Sequence, residues 1–174
     1  SGKTTTVKSI INASDANKEN KNSNEAYAPM AVTITTNDEI DISRGDMIVH
    51  TKRLPRVSNS LKIMLVWMSD TPMSVGKSYN IKRATSVVSA SFTHINYKLN
   101  VNTYSREVVS SLELNDIASC KMLLTRPIAA DAYKINRQTG GFIVIDRETN
   151  DTVAAGMIIN VTKRDEENVQ TKEY

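Results

Sequence analysis

One cysteine, two histidines, eight leucines and an aromatic content of 5% leave this chain of 174 residues short of several chemistries. Each scarcity excludes something. A lone thiol, Cys120, closes no internal disulfide, which favours a reducing compartment such as the cytoplasm. Its neighbours Ala118, Lys121 and Met122 describe an ordinary strand position, not an activated thiolate. His50 and His94 have no partner at ligand spacing and lie among apolar residues (Ile48, Val49; Phe92, Ile95). Both are expected to be half-buried strand residues, not metal ligands or catalytic bases. So few aromatics leave no stacking platform for single-stranded nucleic acid. No stretch approaches the roughly 18 apolar residues of a membrane span, and no secretory signal precedes Ser1.

Charge of one sign is also missing. Twenty-two basic and 19 acidic residues leave a net charge of +3. The basic residues never cluster beyond the pairs Lys52-Arg53, Lys82-Arg83 and Lys163-Arg164, so they read as solvation and disfavour nucleic acid as a partner. No pair of carboxylates stands out as general acid and base.

What the chain does contain is β-branching. Isoleucine and valine number 31 and threonine 17, against those eight leucines. Branching at Cβ stiffens the first side-chain torsion, which disfavours helices slightly and suits a pleated strand. A hydrophobic content of 40% with 24% charged residues fits a folded domain. The expected class is therefore all-β.

Period-two alternation marks strands such as Ala31–Thr35, and Thr6–Ile11, Met47–His50, Ser78–Thr85, Ser110–Leu114, Ala118–Thr125, Phe142–Asp146 and Val153–Val161 are further strand candidates. Leu61–Met68 is almost continuously apolar and reads as a strand buried on both faces. In Asn96–Asn102 the residues Tyr97, Leu99 and Val101 are expected on the buried face. Asn115–Ile117 and Ala129–Asn136 hint at helical turns. The stretch from Asn12 to Glu25 carries no apolar residue larger than alanine and reads as a long hairpin tip. Lys52–Pro55 is a plausible linker, and the charged residues from Asp165 to Tyr174 read as a frayed tail. Short strands divided by turn signals point to antiparallel barrels or sandwiches.

Three short motifs dissolve on inspection. Gly2-Lys3-Thr4 resembles the end of a phosphate-binding loop, but the loop's first glycine would precede Ser1 and a strand-like run replaces the required helix. Arg44-Gly45-Asp46 spells an integrin-binding tripeptide, yet reads as a turn with glycine at positive φ. Asn12-Ala13-Ser14, Asn150-Asp151-Thr152 and Asn160-Val161-Thr162 match a glycosylation pattern that means nothing in a cytoplasmic protein.

Longer strings are more specific. Asp38-Glu39-Ile40-Asp41-Ile42-Ser43-Arg44-Gly45-Asp46 is followed by Met64-Leu65-Val66-Trp67-Met68 and Tyr79-Asn80-Ile81-Lys82-Arg83-Ala84-Thr85. Phe142-Ile143-Val144-Ile145-Asp146-Arg147 and Thr152-Val153-Ala154-Ala155-Gly156-Met157-Ile158 close the series. From Ser1 to Val161 this order resembles the C-terminal half of the large, GTP-hydrolysing subunits of bacterial sulfate adenylyltransferases, a branch of the elongation-factor-like GTPases. One departure is the polar loop 12–25, longer than the family's turn there.

The resemblance implies two antiparallel β-barrels of translation-factor type. Residues 1–54 would be the C-terminal part of a second domain, truncated at its N-terminus; 55–165 would be a whole third domain, and 166–174 a tail. It also implies that GTP and magnesium belong to a G domain outside this chain, since no complete phosphate loop and no Asn-Lys-x-Asp occurs here. No catalytic, cofactor-binding or metal-binding residue is assigned. The implied partners are the small catalytic subunit, which joins ATP and sulfate into adenosine 5′-phosphosulfate, and the chain's own G domain. The abrupt opening at Ser1 fits a piece of a longer protein. Two alternatives stand beside this reading: the RNA- or tRNA-binding barrels of a translation-factor GTPase, and a free-standing β module with protein partners.

Overall fold

The computed structural model describes residues 3–12, 22–23 and 25–162. Contacts divide the chain between Ser43 and Arg44 into two compact units. The segment 44–54, expected with the first domain, groups here with the second, whose first strand opens at Arg56. The calls for residues 13–21 and 24 of the polar loop, and for the tail from 166 onward, lie outside the described residues.

The first unit is a three-stranded antiparallel sheet in the order β2-β1-β3, with β1 at Val7–Asn12, β2 at Asn22–Ser23 and β3 at Val32–Thr36. Part of the expected loop is thus strand, because Asn22 and Ser23 pair with Ile11 and Ile10. Polar contacts tie its ends: Thr5 Oγ1 donates to Asp38 Oδ2 at 2.8 Å and the Asn37 amide to the Thr6 carbonyl at 3.1 Å. No apolar side chain described in this unit is fully buried, and Val7, Ile11 and Ile34 are exposed.

The second unit is a complete barrel. Its strands are β4 (Arg56–Trp67), β5 (Ser78–Arg83), β6 (Ser86–Leu99), β7 (Arg106–Glu107), β8 (Ile117–Ala130), β9 (Gly141–Asp146) and β10 (Thr152–Thr162). The order β5-β9-β10-β4-β8-β6 is closed by pairing of β5 with β6, giving six antiparallel strands without a free edge. The short β7 extends β6 at its far end. One turn of helix, α1 (Arg137–Gly140), capped by the Asn136 side chain, is the only helix among the described residues.

Inward positions alternate with outward ones, and large residues meet small ones across the strands. Ile81, Val144, Ala154 and Trp67 are register neighbours in one row; Phe142, Gly156, Leu65 and Ala118 form another. Trp67 meets Tyr79 edge-on at 5.8 Å, and Tyr79 meets Phe92 at 5.5 Å. Such contacts add directional preference to burial. The Trp67 indole N–H reaches the Thr71 carbonyl at 2.9 Å, so this buried ring's polar atom has a partner.

The structure corrects several expectations. Leu61–Met68 is buried on one face only: Leu61, Ile63, Leu65 and Trp67 fill the interior while Val66 and Met68 face out. A barrel wall has one inner face, however apolar the strand. Met47–His50 is not a strand, and Ile48 is 76% exposed; the six barrel strands already pair on both sides and offer it no edge. Strand β6 begins at Ser86, where none was expected, because its inward residues Val88 and Ala90 are small and separated by serines. Bulges between Phe92 and His94 and between Ile95 and Tyr97 then shift its register. Lys98, not Tyr97 or Leu99, shares a row with inward Ala118, and Val101 lies exposed in the following turn. Ser110–Leu114 contributes a single bridge, Leu112 to Met73, both fully buried. Asn115 sits in a turn at φ 68° and β8 starts at Ile117, while Ala129 and Ala130 end that strand; the helical turn expected over Ala129–Asn136 is confined to 132–136, where the Ile135 and Asn136 amides reach the Ala132 carbonyl.

Gly156 shows how tightly the interior is fitted. A Cβ there would lie 2.4 Å from Phe142 Cζ and 3.0 Å from the Met64 carbonyl oxygen. Gly156→Ala is expected to destabilise the barrel by about 2 kcal/mol, the middle of the range for overpacking. Urea unfolding measures this; an unchanged midpoint would show that the Phe142 ring moves aside freely.

Candidate functional site

The residues able to do chemistry are spread through the fold and are occupied by it. Cys120 points into the core from β8, fully buried, and burial pushes its thiol pKa up to about 12. It is a packing residue. His50 and His94 are both exposed, contrary to the half-buried positions expected. His50 lies in a loop and its Nδ1 accepts the Lys52 amide at 3.1 Å; His94 stands at the first bulge of β6. Among the described residues no three His, Cys, Asp or Glu side chains gather as a metal group would require.

The other candidates resolve likewise. Lys3-Thr4 leads into β1 without a helix behind it, so backbone amides do not converge as a phosphate loop needs. Gly45 adopts φ 107° and packs toward Ser86, which makes Arg44-Gly45-Asp46 the glycine turn expected. Arg83 is buried, donates to the Thr139 carbonyl at 3.1 Å, and has its pKa lowered by burial against the opposing influence of Asp131. It ties the helix turn to the barrel end.

The charge cluster beside the β9–β10 turn is structural. Lys77 Nζ reaches Asp146 Oδ2 at 2.9 Å and Glu148 Oε2 at 3.4 Å, and Asp146 Oδ1 accepts the Glu148 amide at 2.8 Å. The carboxylate thereby organises the turn between β9 and β10, where Asn150 takes φ 63°.

What remains is surface. Alternation along β4 and β10 leaves Val66, Met68, Met157 and Ile159 on the outer wall. Elsewhere Arg44, Lys82 and Arg126 border a shallow depression of about 520 Å³ floored by Val87 and Ile145. Arg44 Nε is held by the Thr85 carbonyl at 3.1 Å and Arg126 by the Val87 carbonyl at 3.3 Å, so both guanidiniums brace the β5–β6 hairpin. Sequence reasoning saw these cations as scattered; Arg44 and Arg126 stand far apart in the chain and only barrel closure brings them together. The depression thus gathers three cations beside apolar Val87 and Ile145.

Comparisons with known proteins agree. Residues 60–159 match the family model described as GTP-eEF1A C-terminal domain-like. The chain is 67% identical over its whole length to sulfate adenylyltransferase subunit 1 of Sulfurovum sp. strain NBC37-1, covering 37% of that protein. It is 47% identical, over 96% of its length, to the protein of the same name from Saccharophagus degradans, covering 34% of it. It spans little more than a third of these relatives. The solved structure of sup35 complexed with GMPPNP shares the fold with a TM-score of 0.75 and 16% identity, over 92% of this chain and 38% of that one.

The Lys77–Asp146 contact makes a pH prediction. The hydrogen bond from Lys77, then the Glu148 amide, holds the Asp146 carboxyl below its ordinary value, and the same bond raises Lys77. A carboxyl lowered in the folded state adds stability above its unfolded pKa of about 3.9 and loses it as pH falls through the folded value. Asp146→Asn is therefore expected to be less stable than the wild type at pH 7, with the gap closing below about pH 4. Urea midpoints from pH 2 to 8 measure it; an offset constant down to pH 2 refutes the assignment.

Proposed function

The chain belongs to the GTP-eEF1A C-terminal domain-like family, and from that membership we propose that it is the C-terminal barrel region of the GTPase subunit of a sulfate adenylyltransferase. The observation that carries the reading is the 67% identity along its entire length to a protein named subunit 1 of that enzyme. In this role the chain is a non-catalytic coupling module. GTP and magnesium are held by a G domain outside it, and a separate small subunit forms adenosine 5′-phosphosulfate and pyrophosphate from ATP and sulfate.

The physical support lies in what the barrel offers. Its nucleophile is buried with a raised pKa, its histidines stand alone, and its interior is filled with side chains. A rigid closed wall is suited to passing a change in nucleotide state between a G domain and a catalytic partner as a shift of contacts, with no reaction of its own. The lone buried thiol fits a reducing cytoplasm, and among the described residues no helix is long and apolar enough to cross a membrane.

The test is coupling in the intact heteromer. Adenosine 5′-phosphosulfate formed per GTP hydrolysed is compared between the complete subunit and one lacking this chain. The truncated subunit is expected to fall to the uncoupled level while the catalytic subunit keeps its basal activity. Equal coupled turnover in the two would remove the proposed role.

A further inference from the structure

Four described residues other than glycine take positive φ: Ala84 (47°), Tyr104 (56°), Asn115 (68°) and Asn150 (63°). The two asparagines are what this backbone region favours, and Ala84 is small. Tyr104 is the anomaly. A bulky aromatic residue is disfavoured there, and Tyr104 recovers nothing by burial, being 79% exposed.

The loop that holds it is firmly built. The Asn100 amide donates to the Ser105 carbonyl at 2.9 Å, and the Tyr104 amide to the Asn100 carbonyl at 2.8 Å. Asn100 Oδ1 accepts the Asn102 and Thr103 amides at 3.0 and 3.2 Å, and its Nδ2 donates to Glu107 Oε1 at 2.9 Å. The same loop exposes Val101, and Val108, directly after β7, is 92% exposed. Arg106 lies over the Tyr97 ring at 4.6 Å and makes no ion pair among the described residues, whereas Lys98 is matched by Glu107 at 3.7 Å and Asp116 at 3.5 Å.

A strained, exposed aromatic on a preorganised loop lowers fold stability and saves ordering entropy on association. Tyrosine and arginine are also the residues that most often anchor interfaces. We propose that the loop 100–108 is the anchor by which this chain docks on its partner subunit, with Tyr104 entering an apolar cleft and Arg106 meeting a carboxylate at its rim. The inference rests on the sulfate adenylyltransferase reading, in which a catalytic partner subunit exists. Charge complementarity selects an acidic rim, because among the described residues Arg106 is the cation of this loop without a carboxylate partner.

The experiment titrates the full-length subunit with the purified catalytic subunit and compares Tyr104→Asn, Arg106→Ala and Val57→Ser. Val57 is exposed at the start of β4, about 30 Å along that strand from the Val66 end, which pairs through Ile117 toward Leu99, and serves as the control. Tyr104→Asn is expected to keep or raise the melting temperature, since asparagine tolerates positive φ, yet weaken binding at least about 30-fold. Arg106→Ala is expected to weaken binding and reduce its salt dependence. Unchanged affinity for Tyr104→Asn, or an equal loss in the Val57 control, overturns the proposal while leaving the functional reading intact. Failure of the wild-type subunit to bind at all overturns both.

Discussion

Pairing of β5 with β6 is the constraint on which the second unit depends. Once the sheet closes, the interior has a set cross-section and every inward side chain must share it. That is why Trp67, Tyr79, Phe92 and Phe142 coexist with Ala90, Ala118, Ala154 and Gly156 at inward positions. A larger residue at any small position would push a ring off its rotamer; a smaller one at an aromatic position would leave a void. Closure also removes the edges of the sheet. Met47–His50 lies outside these six strands and is a loop.

With the interior filled and inert, the protein's capacity to act moves to its outer surface. Polar groups mostly fix that surface in place. Asp146 and Lys77 organise the turn after β9, Asn100 organises the one after β6, and Arg44 and Arg126 brace the β5–β6 hairpin through backbone carbonyls. Loops held this way present side chains at little entropic cost when a partner arrives.

The legibility of this fold in its sequence was uneven for physical reasons. Phe142–Asp146 and Val153–Val161 were recognisable as short, mostly apolar runs separated by a polar connection of hairpin length. The first half of β6 was missed because alanine and serine differ too little for alternation to show, though Val88, Ala90 and Phe92 do point inward. In its second half Tyr97 and Leu99 were expected inward from their apolar character, whereas the register puts Lys98 in the row of inward Ala118 and leaves Tyr97 and Leu99 half-buried. The scarcity of thiols and imidazoles was legible in composition, since residue counts do not change on folding. Tyr104 gave no signal at all, since its interest lies in a backbone angle and in exposure.

Sequence alone determined the class, the lack of internal disulfides and the family resemblance, because β-branching, residue counts and strings are properties of the chain before it folds. Tertiary structure decided which face of each strand is inner and which charges meet around the β5–β6 hairpin. It also decided that a tyrosine would be held strained and open to solvent. These depend on register and closure, which join residues far apart in the chain through hydrogen-bond geometry that no local pattern encodes.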